Sequence, residues 1–327
     1  MPKINVIRAI RDALDEEMAA DERVIILGED VGPIGGVFRA TDGLWKKYGE
    51  RRVIDMPIAE ASIVGAAIGA ALNGLRPVAE IQFADYIHPA FDQIVNEAAK
   101  IRYRSAGGFH CPIVVRAPAG GGIHGALYHS QSVEAYFCHA PGLKVVAPSN
   151  PYDAKGLLKA AIRDPDPVIY FEFKATYRTI EAEVPDEDYI VPIGTAAIKR
   201  SGQDLTLLTY GALVHEALKA AETLAGEGIE IEVIDLRTLL PLDRETILAS
   251  VHKTSKVLIV HEANKTGGLG AELAALIAEE AFEHLDGPIT RLAGPDVPAM
   301  PFAPTLEAAF MPNAAKIAAA ARELDAY

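Results

Sequence analysis

The stretch EASIVGAAIGAALNGLRPVAEIQF, from Glu60 to Phe83, decides the fold class of this chain. Its first part, Glu60 to Gly74, is rich in Ala and Gly and apolar on nearly every side, which is typical of a helix packed closely on both sides. Its second part, Pro77 to Phe83, is short and apolar, as buried parallel strands are. A helix that runs directly into a buried strand predicts an α/β fold. A helix this apolar predicts a place deep in the molecule or in an interface.

Further apolar runs extend this pattern on both sides of the stretch. In the first half they are VIILGED (24–30), PIVVRAP (112–118), LKVVAPS (143–149) and PVIYFEF (167–173). The acidic segment from Lys174 to Gly194 contains Pro and lacks a clear period, so we interpret it as the crossing between two domains. After it, LTLLTYG (205–211), IEIEVIDL (229–236) and KVLIVHE (256–262) alternate with helical stretches. The sequence therefore predicts a doubly wound sheet in residues 1–185 and a smaller α/β domain in residues 186–327.

Composition and charge argue against two classes of partner. Half of the 327 residues are hydrophobic, which suits two packed cores, and the formal charge of −14 repels nucleic-acid backbones and anionic lipid. The N-terminal sequence MPKINVIRAIRDALDEEM predicts an amphipathic helix and not a signal peptide, and no apolar run approaches the roughly 20 residues that cross a bilayer. Cys111 and Cys138 are expected as reduced thiols. We therefore expect a cytoplasmic protein.

Three features suggest chemistry, and each also has a structural explanation. TGGLGAEL, from Thr266 to Leu273, follows a strand and opens a helix, so it is either a phosphate-binding turn or a tight strand-to-helix connection. The glycine run 120–122 lies shortly before His129. This arrangement predicts either a mobile loop that places His129 in a cleft or an ordinary polar loop. Glu60 is either a helix-terminal acid or a functional carboxylate. A hydrolase is rejected, because no G-x-S-x-G motif occurs.

Longer motifs carry a resemblance to a known family. They are GEDVGPIGGVFRATDG (28–43), GALYHSQSVEA (125–135), LKVVAPSNPYDAKGLL (143–158) and RLAGPDVPAMPFAPTLE (291–307). Together with the opening stretch, they resemble the β subunit of the 2-oxo acid dehydrogenases, most closely the branched-chain type. The resemblance implies a transketolase-like pyrimidine domain in residues 1–185 and a C-terminal domain that serves assembly. It also implies an α2β2 heterotetramer with thiamine diphosphate shared across the α/β interface. The α chain would hold Mg²⁺ through a Gly-Asp-Gly motif, which this sequence lacks.

The resemblance implies roles for five residues at the cofactor. Glu60 is expected to hydrogen-bond the pyrimidine ring nitrogen and to relay a proton, which a carboxyl group does well. Gln82, Tyr86 and Ile58 are expected to hold the pyrimidine ring. His129 is expected to act in the transfer of the acyl group to a lipoyl domain, since an imidazole can protonate the departing sulfur near neutral pH.

Two further sites follow from the resemblance or from charge. The resemblance implies a K⁺ ion held by oxygen atoms of Ile113, Ala161, Asp164 and Asp166. Acidic residues near the end of the chain are expected to receive a basic subunit-binding domain of the acyltransferase core by charge complementarity, or to form a solvated helix face. They are Glu279, Glu280, Glu283 and Asp286.

Three alternatives to the branched-chain interpretation stay open. A pyruvate or acetoin dehydrogenase β subunit would have a similar sequence, and the small 2-oxo acid substrate is not fixed by the residues. A non-catalytic assembly subunit and an NAD-binding oxidoreductase built on the second sheet are alternatives of other classes.

Overall fold

The computed structural model describes residues 2–327 and contains two sheets made largely of parallel strands, with helices on their faces. The strands are β1 (Lys3–Asn5), β2 (Val24–Gly28), β3 (Val53–Asp55), β4 (Arg76–Glu80), β5 (Val114–Ala119), β6 (Lys144–Val146), β7 (Val168–Phe173), β8 (Glu181–Glu183), β9 (Ala197–Arg200), β10 (Leu205–Thr209), β11 (Ile231–Asp235), β12 (Thr238–Leu240), β13 (Val257–Asn264) and β14 (Thr290–Gly294). The α-helices are α1 (Val6–Ala20), α2 (Leu44–Tyr48), α3 (Glu60–Leu72), α4 (Ile101–Arg104), α5 (Glu134–Cys138), α6 (Pro151–Arg163), α7 (Leu213–Ala225), α8 (Arg244–Thr254), α9 (Leu269–Glu280), α10 (Pro304–Phe310) and α11 (Ala314–Asp325).

The larger sheet has the strand order β12-β6-β7-β5-β4-β2-β3. All neighbours run parallel except β12, which pairs antiparallel with β6 at one edge. Strands β2, β5 and β7 are buried along their whole length, which explains why their sequences are mainly continuous apolar runs. The runs predicted as strands in the first half of the chain are confirmed as β2, β4, β5, β6 and β7.

The smaller sheet has the order β14-β13-β10-β11-β9, with β9 antiparallel at one edge. The predicted strand and helix alternation is confirmed, and helices α7, α8 and α9 follow strands β10, β12 and β13. One element crosses between the halves, because β12 leaves the second half and extends the first sheet beside β6. The proposed boundary near residue 185 stays a prediction, and Thr238–Leu240 contributes to the sheet on its other side.

The chain between the two sheets is tied back to the N-terminus. Strand β8 lies in the predicted crossing segment and pairs antiparallel with β1. The N-terminal helix α1 was expected from its amphipathic pattern and packs against α6. Within residues 2–327, no helix is both long enough and apolar enough to pass through a membrane.

Helix α3 is covered on one side only. Its core face is made of large and small apolar residues that the sheet and the following turns bury: Ile63, Val64, Ala67, Ile68 and Ala71. Its other face is exposed in the single chain and consists of Ser62, Ala66, Gly69 and Leu72. The expectation of close packing on both sides is therefore met by this chain on one side, and the second side remains open to another chain.

A buried ion network joins the central strands of the larger sheet. Arg116 on β5 donates to Glu80 on β4 and to Glu172 on β7, each over 2.6 Å, and none of the three is more than 3% exposed. The hydroxyl of Tyr177 donates to the second oxygen of Glu172 over 2.6 Å. Burial raises the pKa of Glu80, and Arg116 opposes that rise. The network explains how the apolar run PIVVRAP contains an arginine at its centre.

We predict that Arg116→Met lowers the free energy of unfolding by about 3–5 kcal/mol, because it leaves two buried carboxylates without their cation. The control is Arg104→Met, which removes an exposed pair with Glu97 and should cost about 1 kcal/mol or less. Urea unfolding of both variants measures the difference. Equal small losses would contradict the importance of the buried network.

Candidate functional site

Four of the five residues expected at the cofactor follow strands that end at the same edge of the larger sheet. Strands β2, β3 and β4 are parallel neighbours, so their carboxyl ends meet at one edge, where ligands bind in open α/β sheets. Ile58 and Glu60 follow β3, and Glu60 is the first residue of α3. Gln82 follows β4, and Tyr86 ends a 3-10 turn over Ala84–Tyr86. The topology therefore brings these residues together from separate strands.

His129 reaches this edge from a loop after β5. Its ring lies edge-on to the ring of Phe83, with centroids 4.5 Å apart, and its Nε2 is 3.3 Å from the hydroxyl of Tyr86. Asp85 fixes the chain just after His129, since its Oδ1 accepts hydrogen bonds from the backbone N–H groups of Ser130 (3.2 Å) and Gln131 (3.1 Å). The loop thus places the imidazole beside the turn that carries Tyr86.

Two carboxylates for which no role was predicted complete the edge. Glu29 and Asp30 follow β2, and the side-chain amide of Gln82 donates to Asp30 over 3.4 Å. Burial raises the pKa of Glu29, and the charges of Asp30 and Glu60 raise it further. The sequence feature that could have identified them is their place at the end of a buried strand in the motif GED.

Tyr86 lies within the electrostatic reach of these acids. Burial raises its pKa most, followed by the charges of Asp85, Glu29 and Glu60. The phenol is therefore held in its neutral form, able to donate or accept a hydrogen bond. Together with the imidazole of His129, it offers a proton donor and acceptor pair beside a group of carboxylates.

Glu60 is not the capping residue of α3. The N-cap is Ala59, and no side chain caps the helix there, so Glu60 stands in the first turn with its carboxylate near the positive end of the helix dipole. Ile58 is 75% exposed, so its apolar side chain lies at the rim of the site and contacts little of its own chain. The site is therefore open on the side where Ile58 stands.

Comparisons with known proteins identify the family of this chain. Residues 2–179 match the family model described as transketolase, pyrimidine binding domain, and residues 194–317 match transketolase, C-terminal domain. Subunit beta of 2-oxoisovalerate dehydrogenase from Bacillus subtilis is 60% identical over 99% of both chains. The chain belongs to the 2-oxo acid dehydrogenase β subunits. Subunit beta of pyruvate dehydrogenase from Bacillus subtilis is 48% identical over the same share of both chains.

The fold also matches a solved transketolase chain. A split-gene transketolase described as an inactive beta4 tetramer has a TM-score of 0.79 and 26% identity, covering 99% of this chain and 98% of its own. The predicted fold class, a transketolase-like pyrimidine domain with a smaller C-terminal α/β domain, is confirmed for this β subunit.

Two of the three glycines of TGGLG in this β subunit, Gly268 and Gly270, have a packing explanation. A Cβ atom at Gly268 would lie 2.6 Å from Cε1 of His261, and one at Gly270 would lie 2.6 Å from its Nε2. The His261 ring is 1% exposed, and its Nδ1 lies 3.0 Å from the carbonyl oxygen of Ala263. The structure therefore favours the tight strand-to-helix connection over the phosphate-binding turn.

The four residues expected at a K⁺ ion already have partners within the β subunit. The carbonyl oxygens of Ile113, Ala161 and Asp164 each accept a hydrogen bond, from Val168, Asp164 and Arg76 respectively. The carboxylate of Asp164 binds the ammonium of Lys144 over 2.6 Å, and that of Asp166 binds Arg102. Within residues 2–327, no group of three or more His, Cys, Asp or Glu side chains is arranged to hold a metal. Lys144 and Arg102 therefore supply positive charge to the two carboxylates from within the chain itself.

We predict that His261 makes stability depend on pH in the acid range. Burial lowers its pKa from 6.5 to about 4, so between those values the unfolded chain binds a proton that the native chain does not. The free energy of unfolding should fall as pH falls through this window, with His261 contributing up to about 1.4 kcal/mol per pH unit. Urea unfolding from pH 7 to pH 4 should show a shallower slope for His261→Gln.

The matched control is His252→Gln, which makes the same replacement at an exposed position on α8. If the wild type and His261→Gln had the same slope, the buried imidazole would not be the source of the pH dependence.

Proposed function

We propose that this chain is the β half of a thiamine-diphosphate-dependent dehydrogenase that decarboxylates branched-chain 2-oxo acids and transfers the acyl group to a lipoyl domain. The observation that carries the proposal is the meeting of Gln82, Tyr86 and His129 at the edge where Glu60 begins α3. The 60% identity to a 2-oxoisovalerate dehydrogenase subunit supports the branched-chain substrate. The proposed location is the cytoplasm.

The residues at this edge fit the aminopyrimidine end of the cofactor. Glu60 offers a carboxylate that can hold a proton at a ring nitrogen and pass it on. Gln82 and Tyr86 offer hydrogen-bonding groups on rigid strand ends and turns, which suits the orientation of a heteroaromatic ring. Ile58 offers apolar contact at the rim. When bound, thiamine diphosphate would supply the electron sink that decarboxylation needs.

His129 is proposed to serve the acyl transfer. Opening the lipoyl disulfide produces a sulfur anion, and an imidazole can give it a proton. The hydroxyl of Tyr86, 3.3 Å from Nε2, can keep the ring in the required orientation. His129 would therefore protonate the lipoyl sulfur, while Glu60 would act on the cofactor.

The other half of the site is proposed to come from an α subunit in an α2β2 heterotetramer. This sequence has no Gly-Asp-Gly motif to hold Mg²⁺ and a diphosphate. The exposed small-residue face of α3 and the exposed side chain of Ile58 suit a covering chain. The similar split-gene transketolase chain is described as an inactive beta4 tetramer. That description supports the need for a second type of subunit.

The acyltransferase core is proposed to bind near the C-terminus. All four acids are exposed, and Glu279, Glu283 and Asp286 are available to a basic domain, whereas Glu280 pairs with Arg244. Phe282, which is 72% exposed among them, would add apolar contact. A K⁺ ion at these residues would compete with Lys144 and Arg102, which already bind the carboxylates of Asp164 and Asp166.

Pyruvate dehydrogenase is the second candidate function. It is supported by a relative of 48% identity over nearly the whole chain, and the residues at the sheet edge suit either substrate. The acyl pocket is proposed to be completed by the α subunit, so this chain alone does not distinguish the two acids.

With a matched α subunit, we predict a higher kcat/KM for branched 2-oxo acids than for pyruvate, measured as CO₂ release with an artificial electron acceptor. A preference for pyruvate would support the second candidate.

We also predict that the isolated chain binds thiamine diphosphate weakly or not at all in calorimetry, because the diphosphate half of the site is absent. Tight Mg²⁺-dependent binding to the isolated chain would overturn the divided site.

We predict that Glu60→Gln leaves the α2β2 assembly intact but lowers exchange of the cofactor's thiazolium proton by about 10² or more, because an amide does not relay a proton. Proton exchange is measured by NMR on the assembled enzyme. The matched control is Glu245→Gln, which removes an acid from the first turn of α8. Normal exchange in Glu60→Gln would mean that Glu60 acts only as a helix-terminal acid.

A further inference from the structure

The loop that carries His129, defined as Gly120 to Ser132 and called the His129 loop, is held from the second half of the chain. The backbone N–H of Gly121 donates to Oε1 of Glu262 at the end of β13. The N–H groups of Gly122 and His124 donate to Oε1 of Glu307 on α10, over 2.9 and 3.3 Å. Two acids of the C-terminal half therefore accept hydrogen bonds from three backbone N–H groups of the loop, those of Gly121, Gly122 and His124.

Both acids are buried where they meet the loop. Glu262 is 2% exposed and Glu307 is 3% exposed, so their hydrogen bonds to the loop are shielded from water. The second oxygen of Glu307 also pairs with Nδ1 of His124. Burial raises the pKa of Glu262 to about 7, and the hydrogen bond from Gly121 opposes that rise. The loop is therefore anchored by buried hydrogen bonds that water does not replace.

The loop backbone is under conformational constraint between its anchors. His124 and Ala126 have φ values of +56° and +57°, in the left-handed region that residues with a Cβ rarely adopt. Such residues persist where the surroundings hold them. The bonds from Glu307 lie at the start of this segment, and those from Asp85 to Ser130 and Gln131 lie at its end. His129 stands between the two sets of anchors.

The loop also packs tightly against the C-terminal half. A Cβ atom at Gly121 would overlap the side chain of Met300 and would lie 3.2 Å from the sulfur of Met311. Glycine at this position lets the backbone approach β13 and α10 closely enough to reach Glu262 and Glu307. The run of glycines thus has a structural purpose that is separate from flexibility.

We propose that Glu307, with Glu262, is a positioning residue for His129: by holding the backbone of the His129 loop, it keeps the imidazole in the place where it serves acyl transfer. This inference rests on the proposed role of His129. It gives the C-terminal half of the chain a part in the reaction beyond assembly.

The test uses the α2β2 enzyme reconstituted with its α subunit. Glu307→Ala, Glu307→Gln, His129→Gln and the double variant Glu307→Ala with His129→Gln are compared. Glu323→Ala, at an exposed position on α11, is the matched control. Two rates are measured on each preparation after cofactor occupancy is checked: CO₂ release to an artificial electron acceptor, and acylation of a purified lipoyl domain.

A displaced imidazole should affect one half-reaction selectively. Glu307→Ala is expected to lower kcat for lipoyl-domain acylation by roughly 10² while CO₂ release stays within about twofold, because small misplacements of a reacting group are costly. Glu307→Gln should lose roughly fivefold, since its amide oxygen still accepts the backbone hydrogen bonds but is uncharged. The double variant should lose no more than His129→Gln alone, because both changes act through one imidazole.

Each outcome has a defined meaning. If His129→Gln lowers acylation selectively but the loss from Glu307→Ala adds to it, or if Glu307→Ala behaves like Glu323→Ala, the positioning role is wrong and the role of His129 stands. If His129→Gln has no selective effect, the role of His129 is wrong, and the inference fails with it. If Glu307→Ala does not assemble, Glu307→Gln decides the matter, and an unchanged acylation rate in that variant overturns the inference.

Discussion

The ion network around Arg116 is the constraint on which the rest of the structure depends. A guanidinium that is fully buried between Glu80 and Glu172 fixes the relative positions of the strands β4, β5 and β7 at the centre of the larger sheet. Two of these strands lead directly to the functional edge, β4 to Gln82 and β5 to the His129 loop. Because a buried charge without its partner is costly, the strands cannot slip in register without breaking the network.

The network also supports the loop that follows β2. Oε1 of Glu80 lies 3.2 Å from the position that a Cβ atom would take at Gly36, which has a φ of +78°. The glycine lets the GPIGG turn close over the end of β4, next to Glu29 and Asp30. Burial raises the pKa of Glu80, the charge of Glu172 raises it further, and Arg116 opposes both, so Arg116 is the group that keeps this region paired. Core electrostatics and site geometry are therefore parts of one arrangement.

Much of the fold was predictable because its determinants are local. Apolar runs such as PVIYFEF predict buried strands. Gln82 and Glu60 were expected at one site from the resemblance, and the parallel strands place both at one carboxyl edge. The pairing of Thr238–Leu240 with β6 was not predictable, because a short strand gives no local sign of which sheet it joins. The contacts of Arg116 and Glu307 with residues distant in sequence were missed for the same reason. TGGLG had a visible motif, but its explanation lies in the ring of His261, which only the fold brings near.

The functional edge is electrostatically incomplete in the single chain. Glu29, Asp30 and Glu60 lie at the ends of neighbouring elements, and across residues 2–327 no ion pair with a Lys or Arg involves any of them. Negative charges held close together raise one another's pKa values. Burial, Asp30 and Glu60 all raise the pKa of Glu29. The exposed Ile58 stands after the adjacent strand and lacks apolar contact in the same way. Both the charge and the apolar surface at this edge are therefore left without the partners that a bound cofactor and a covering chain would provide.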